Sequence, residues 1–239
     1  MLLSMRAATE AMRALAYFAA AAIDTSRQAG DSKAQFRAQR RADLLIPVVK
    51  AWCTDLGVEV ASTGIQVHGG MGYIEETGAA QYLRDARIAP IYEGTNGIQA
   101  NDLVGRKLGR DQGEAARELI AEMRASLGEL DAPELAALRQ RLTDATAALD
   151  TATAYLVTAE PALAAAGSVP YLNLCGTVLG GWLMARVAAV TLKHPDTGLR
   201  AAKLATVRFY SEHFLARASG YLPAIMGGAA VVDFDPEWL

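Results

Sequence analysis

Histidine and cysteine are scarce in this sequence, which contains three histidines and two cysteines among 239 residues. Cys53 and Cys175 lie far apart and form no metal-ligand spacing, so we expect buried, reduced thiols of an intracellular protein. His68 has no second histidine near it, because His194 and His213 come much later in the chain, and a structural role is expected for it. The sequence therefore predicts no metal site.

A large excess of charge of either sign is also lacking. Lysine and arginine number 23 against 26 aspartates and glutamates, which gives a net charge of −3 and a pI near 5.7. Nucleic-acid binding needs a basic surface, so this composition argues against it. Hydrophobic residues make up 52% of the chain and its mean hydropathy is +0.14, which indicates surface reserved for partners or missing domains.

Sustained strand alternation is absent, and so is any repeat of fixed period, which predicts an all-α fold. Two apolar stretches imitate other signals: residues 14–23 resemble a signal-peptide core, and residues 171–192 have the length of a membrane span. Glu10 and a helical spacing of apolar residues favour a core helix for the first stretch. Asn173, Arg186 and three glycines favour a buried helix for the second. No membrane span is therefore predicted.

The helical pattern divides at the glycine- and charge-rich segment 109–113, which we interpret as a linker between subdomains. Before it, a break or bend is expected at Pro47, Gly57 marks a second possible joint, and residues 88–94 are expected to be extended. The helices predicted in this first part cover residues 1–27, 34–68, 79–87 and 95–108.

Beyond the linker, a helix is predicted over residues 114–127 and a longer one over 131–165. "DAPE" is typical of a helix start, with Asp131 as the cap, Pro133 in the first turn and Glu134 completing a capping box. Apolar residues then repeat with heptad-like spacing and predict a seam that packs along a partner helix. Two further helices and a Gly/Pro-containing tail at 220–239 complete this part. The seam consists of Leu135, Leu138, Leu142, Ala145, Leu149, Ala152 and Leu156.

Glycine is concentrated in one window, "QVHGGMGYIEETGAAQYLRDARIAPIYEGTNGIQ", residues 66–99. The "GGMGY" turn follows a helical run rather than a strand, so it does not fit a dinucleotide-binding fingerprint. By default, the pairs Glu75–Glu76 and Arg84–Asp85 are ordinary surface charges.

Glu93 is the candidate catalytic residue of this window. Gly94 leaves no side chain beside it, so a ligand can approach closely. The helix expected from Thr95 offers free amides suited to a pyrophosphate or an enolate oxygen. A loop residue that satisfies neighbouring amides is the alternative interpretation, and from the residues alone both remain open.

The segments "QVHGGMGY" (Gln66–Tyr73) and "YEGTNGIQ" (Tyr92–Gln99), joined by "RDARIAPIYEG", resemble the C-terminal helical domain of the acyl-CoA dehydrogenases. The resemblance is close over residues 1–110, whereas residues 111–239 resemble the additional helical module of long bacterial members, where "DLVGRKL" (102–108) also fits. It implies an all-α fold, in which an up-down bundle at 1–110, incomplete at its N-terminal end, precedes a second helical bundle or extension at 111–239.

The resemblance implies roles for eight residues. Glu93 corresponds to the general base that removes the α-proton of an acyl-CoA thioester while FAD accepts a hydride from the β-carbon. The other seven fall into three groups: Tyr92 and Gly94 bind substrate, Thr95 and Gln99 help to hold FAD, and Gln66, Gly69 and Gly70 reach the ADP part of FAD across a subunit interface.

Family members carry an N-terminal helical domain and a middle β-domain before this region, and this sequence contains neither. The resemblance therefore implies the C-terminal portion of an enzyme, inactive and without retained FAD when alone. It also implies a homodimer or dimer of dimers in the cytoplasm, with an acceptor such as an electron-transfer flavoprotein. The alternative is a non-catalytic assembly module in which the motif is a relic and the 131–165 helix mediates association. A nucleic-acid-binding relative is opposed by the net negative charge.

Overall fold

Helices account for every regular element in the part of the chain that the computed structural model describes, which is residues 1–28, 30–235 and 237. The all-α prediction is confirmed. The α-helices are α1 Leu2–Gln28, α2 Ser32–His68, α3 Gly70–Tyr73, α4 Ala79–Ala86, α5 Asn96–Asn101, α6 Glu114–Ser126, α7 Ala136–Thr158, α8 Pro161–Ala166, α9 Ser168–Thr191, α10 Thr197–His213, α11 Leu222–Met226 and α12 Ala229–Val232.

Four 3₁₀ segments and one π-helical segment complete the regular structure of the described residues. Short 3₁₀ segments occupy Glu75–Thr77, Leu127–Glu129, Pro133–Leu135 and Leu215–Tyr221, and a π-helical segment, Asp102–Leu108, continues α5. The predicted tail at 220–239 contains α11 and α12, while its positions 236, 238 and 239 lie outside the described residues.

α1 packs along α2 through small and apolar side chains. Ala7, Ala11 and Leu15 are fully buried, so the backbones of the two helices approach closely. The stretch at 14–23 lies inside α1, and the expectation of a core helix is confirmed there.

α2 is one continuous helix of 37 residues, so a break at Pro47 is wrong, while the alternative of a bend stays a prediction. Asp31 caps its start by accepting hydrogen bonds from the amides of Lys33 and Ala34. Pro47 removes one amide donor, but it is buried beside Val48 and Trp52, and this packing outweighs the lost hydrogen bond. No joint forms at Gly57 either, and α2 runs unbroken to the turn that carries the first motif.

The start and the end of α7 both differ from expectation. Asp131 does not cap it, since the 3₁₀ turn Pro133–Leu135 precedes the helix and makes no side-chain cap bond. α7 stops at Thr158, and Pro161 begins a separate helix, so residues 131–165 are not one element. The predicted seam is nevertheless confirmed, because its seven residues are all buried and α7 packs on α9.

α9 crosses the middle of the bundle and contacts α1, α2, α5, α7 and α10. By length and composition it is apolar enough to cross a membrane, and it is the one described helix that meets that criterion. Inside the protein, however, 72% of that apolar window is buried, as expected for a core helix of a bundle. The expected buried helix at 171–192 is therefore confirmed.

Ion pairs join α2 to the segment that follows residue 108. Arg40 donates to Asp111 at 3.0 Å and also pairs with Glu114 at 3.1 Å, and Arg110 donates to Asp43 at 2.8 Å. One continuous hydrophobic cluster contains residues from both sides of this segment. The division into domains at residue 110 stays a prediction.

Candidate functional site

The chain between α4 and α5 is a series of turns, so the extended stretch expected at 88–94 is wrong. The amide of Ile91 donates to the carbonyl of Ile88 at 2.9 Å, and the amide of Asn96 donates to that of Pro90 at 3.0 Å. Pro90 is buried at the base of this loop. Turns replace the extended chain because its backbone groups are satisfied locally, which leaves Tyr92, Glu93 and Gly94 exposed.

Glu93 and Gly94 both adopt positive φ angles, +57° and +86°. Glycine tolerates this conformation, but a side chain with a Cβ disfavours it, so surrounding contacts must hold Glu93 there. The carboxylate of Glu93 makes no hydrogen bond or ion pair with any other described residue. It satisfies no neighbouring amide and is free to act on a ligand.

The carbonyls of these two residues are each held by a side chain. The Gln99 Nε2 donates to the carbonyl of Glu93 at 3.2 Å, and the Lys50 Nζ donates to that of Gly94 at 2.8 Å. Thr95 caps α5 by accepting from the amide of Ile98 at 3.4 Å. The loop is therefore tied at three successive residues, from 93 to 95.

Asn96 connects this loop to α2. Its Oδ1 accepts from Lys50 at 2.8 Å, and its Nδ2 lies 2.7–3.0 Å from three acceptors on α2, which are the carbonyl of Ala51, the hydroxyl of Thr54 and the carboxylate of Asp55. Sequence reasoning missed Lys50 and Asn96, since no local pattern links positions 46 residues apart. An asparagine directly after a helix cap was the one available signal.

The first motif forms the turn at the end of α2. Gly69 has a φ of +63°, and its amide donates to the carbonyl of Gln66 at 3.1 Å. A Cβ added to Gly69 or Gly70 would meet nothing within 4 Å, and both residues are exposed together with Gln66. This open backbone and free amide side chain fit a polar group such as a pyrophosphate. His68 directs its Nδ1 to the carbonyl of Gly64 at 2.8 Å.

The segment with both motifs also exposes large apolar side chains. Tyr73 is 81% exposed, Tyr82 75% and Tyr92 50%. Such exposure marks a surface that contacts a ligand or another protein surface. The remaining members of this set are Val67, Met71, Ile74, Ile88, Ile91 and Ile98.

An open cleft of about 470 Å³ borders the supported loop. Asp55 and Pro90, which both hold Asn96, form part of its wall, and Thr177, Arg217 and Tyr221 form the other side. Both predicted parts of the chain therefore contribute walls next to the loop.

The two cysteines are not candidate nucleophiles. Burial raises the pKa of the Cys53 thiol to about 12 and that of the Cys175 thiol to about 12. A thiol acts as a nucleophile in its thiolate form, so both cysteines are unreactive near neutral pH.

Family models match nearly the whole chain in two parts. Residues 1–109 match the acyl-CoA dehydrogenase C-terminal domain, and residues 119–235 match the acetyl-CoA dehydrogenase C-terminal-like domain. The chain belongs to the acyl-CoA dehydrogenase family. Among curated acyl-CoA dehydrogenases, it is 46% identical to the 3-methylmercaptopropionyl-CoA dehydrogenase of Ruegeria pomeroyi, over 92% of this chain and 39% of that protein. It is 31% identical to the broad-specificity linear acyl-CoA dehydrogenase FadE5 of Mycobacterium tuberculosis, over 90% and 38%.

Solved acyl-CoA dehydrogenase structures share the fold. Caenorhabditis elegans ACDH-11 in complex with C11-CoA matches with a TM-score of 0.73 and 20% identity, covering 95% of this chain and 38% of that one. The acyl-CoA dehydrogenase of Bacillus anthracis complexed with FAD matches with a TM-score of 0.70 and 17% identity, covering 99% and 42%. The chain thus spans about two fifths of the length of the curated relatives it matches.

The predicted site residues of this acyl-CoA dehydrogenase chain lie in two turns. Tyr92, Glu93, Gly94 and Thr95 lie in the loop between α4 and α5, and Gln99 contacts this loop from α5. The other three, Gln66, Gly69 and Gly70, lie in the turn at the end of α2. The roles implied for them by the family stay predictions.

Proposed function

We propose that this chain is the C-terminal portion of an FAD-dependent enzyme that introduces an α,β double bond into an acyl-CoA thioester, with Glu93 as the base. The observation that carries the proposal is the unpaired carboxylate of Glu93, held at positive φ by side chains from α2 and α5 inside the family's motif. A free carboxylate on a fixed backbone is suited to remove one proton from a positioned carbon.

The loop's own residues supply the proton acceptor and the space beside it. Glu93 takes the proton from the α-carbon, and Gly94 has no side chain to obstruct the thioester. Tyr92 is half exposed next to them and contributes apolar contact to the substrate. When bound, FAD supplies the acceptor for the hydride of the β-carbon.

The cofactor contacts proposed for this chain use groups that the fold leaves available. The Thr95 oxygen accepts from Ile98, so its hydroxyl proton remains free to donate. The Gln99 amide nitrogen is engaged with Glu93, and its oxygen remains an acceptor. Gln66, with the open backbone of Gly69 and Gly70, addresses the ADP part of FAD in a neighbouring subunit.

A homodimer or dimer of dimers is proposed for the assembly, since the exposed apolar side chains of residues 71–98 fit a subunit interface better than open water. Sedimentation at micromolar concentration tests this, and a clean monomer would contradict it. A cytoplasmic location and an electron-transfer flavoprotein as acceptor rest on the family resemblance.

We also propose that the chain alone retains no FAD and has no turnover, because Glu93 and the three proposed ADP contacts, Gln66, Gly69 and Gly70, are all exposed. Stoichiometric flavin after extensive dialysis would overturn this. The alternative of an assembly module requires the predicted 131–165 helix, of which α7 is the main part, to mediate association. The seam of α7 is buried against the chain's own core, so it is not available to a partner.

Glu93→Gln in the longer enzyme tests the proposed base. The substitution keeps the shape and removes the charge, so turnover should fall by about two to four orders of magnitude. Flavin content is measured on the same sample and should not change. Loss of flavin together with activity would count against a base and assign Glu93 a structural role.

Two nearby glutamates serve as controls. Glu76 is exposed and has no hydrogen bond or ion pair with other described residues, so Glu76→Gln is the cleaner control. Glu75 pairs with Arg84, and Glu75→Gln reports the effect of losing a surface ion pair. Near-normal turnover in Glu93→Gln, or an equal loss in either control with flavin intact, would refute the assignment.

A further inference from the structure

The geometry points to Lys50 as a positioning residue that acts with Asn96 to hold the backbone of Glu93 and Gly94 in the conformation needed for proton removal. This inference rests on the proposed function of Glu93. In this inference, Lys50 contacts neither the substrate nor the reacting atoms. It acts by binding a carbonyl of the loop that carries the base.

Gly94 tolerates its positive φ, whereas Glu93 carries a Cβ that disfavours its conformation, so surrounding contacts must support Glu93. The support comes from Lys50 and Gln99, which each donate to one of the two carbonyls. Gln99 lies on α5, next to the loop in sequence. Lys50 is the support that comes from a different element, the long helix α2, whose buried residues include Ala51 and Trp52 next to Lys50.

The ammonium group of Lys50 makes two hydrogen bonds and one contact with an aromatic ring. Its Nζ lies 2.8 Å from the carbonyl oxygen of Gly94, 2.8 Å from the Asn96 Oδ1 and 5.8 Å from the centre of the Tyr92 ring. The ammonium therefore contacts three of the five residues from 92 to 96. Lys50 is half buried: its bond to Asn96 is partly buried, and its bond to the Gly94 carbonyl is exposed.

Asn96 makes this arrangement rigid. Its amide group bonds three positions of the next turns of α2, and its Oδ1 orients Lys50. A shift of α5 relative to α2 would break both the Asn96 bonds and the Lys50 bonds. The pair therefore fixes the loop against α2, the helix that ends at the first motif.

The first test is hydrogen exchange on this chain, with Lys50→Met against wild type. Within residues 94–98 the amides of Asn96 and Ile98 donate hydrogen bonds, and we expect these two to exchange about tenfold faster or more, while the amides of α7 and α9 do not change. Lys50→Arg keeps the charge and the donors and should restore most of the protection. Lys33→Met is the matched control, since Lys33 is exposed on the same helix and its side chain has no partner among the described residues.

Asn96→Ala should give the same pattern, and the double variant should add little, because the two residues act as one unit. Unchanged exchange at 94–98 in Lys50→Met would overturn the inference. Faster exchange throughout the chain would also overturn it, since it would assign Lys50 a general structural role.

The second test is kinetic and uses the longer enzyme. A misplaced base lowers kcat, so Lys50→Met should reduce kcat by about 10- to 100-fold while KM changes by less than about threefold. Lys50→Arg should recover most of kcat. A change in KM alone would contradict a positioning role.

The two tests separate this inference from the proposed function. If Glu93→Gln is fully active and Lys50→Met still loosens residues 94–98, then Glu93 is not the base and the catalytic part of the inference fails with it. If Glu93→Gln is inactive and Lys50→Met changes neither exchange nor kcat, only the positioning role fails.

Discussion

The chain contains two glycine-rich regions that use the same residue for opposite purposes. In residues 66–99, Gly69 and Gly94 adopt positive φ and lie exposed. In α9, Gly176 and Gly180 are buried, and a Cβ at these positions would overlap the ring of Trp52 or the hydroxyl of Tyr210. Gly69 and Gly94 provide backbone shape and open surface, whereas Gly176 and Gly180 allow close packing of helices. Gly72 is the exception in the first region, because it is buried and a Cβ there would overlap the carbonyl oxygen of Ile65. Glycine content alone therefore does not locate a site.

Gly176→Ala should give the largest loss of stability, because its Cβ would fall inside the space of the Trp52 ring. Overpacking of this kind costs about 3 kcal/mol, which exceeds the gain in helix propensity. Urea unfolding of this chain measures the loss.

Gly57→Ala is the matched control in α2, since a Cβ there would meet nothing within 4 Å. It should stabilise the chain by about 0.5–1 kcal/mol. If Gly176→Ala had the same free energy of unfolding as wild type, the distinction between the two glycine-rich regions would be refuted.

Gly94→Ala should cost about 1–2 kcal/mol, because the new side chain must adopt a φ of +86°. Steric overlap is not the cause of this loss, since the atom nearest to a Cβ added at Gly94 would be the Gln99 Nε2, at 3.5 Å. In the longer enzyme we expect a loss of turnover that exceeds the loss of stability. A variant that is as active and as stable as wild type would show that this glycine is not needed for backbone shape.

Asp43→Asn should have the smallest effect and should depend on pH. Burial raises the pKa of Asp43, but the hydrogen bonds from Arg110 and Gln39 outweigh burial and hold it below the usual value of 3.8. The stability from this ion pair is therefore present above that value and is lost as the pH falls through the lower pKa of the folded protein.

The substitution should reduce the free energy of unfolding by less than about 1 kcal/mol at pH 7, because Arg110 is half exposed. At pH 2 the difference from wild type should have shrunk. Acid and neutral urea titrations measure it, and a larger difference at pH 2 than at pH 7 would contradict the assignment.

The elements that sequence predicted well are those with long periodic patterns. α1 and the seam of α7 follow from regular burial of one helix face, which the order of residues records directly. Pro47 was misjudged because its cost is local, whereas the packing that overrides it comes from other helices.

The site was predictable only in part. The resemblance located Glu93 and its neighbours, because the motif is contiguous. The positive φ of Glu93, the turns before it and the contact of Lys50 with Asn96 arise from packing between α2 and α5. These features depend on residues that are far apart in the sequence, so no local sequence pattern predicts them.

The most direct test of Glu93 as the base is proton exchange at the substrate's α-carbon in the longer enzyme. An acyl-CoA deuterated at that carbon is incubated with enzyme that lacks an electron acceptor, and the appearance of protium is followed. Exchange should be rapid with Glu93 and about two to four orders of magnitude slower in Glu93→Gln at equal flavin content. Equal exchange in the two proteins would contradict the claim that Glu93 removes the α-proton.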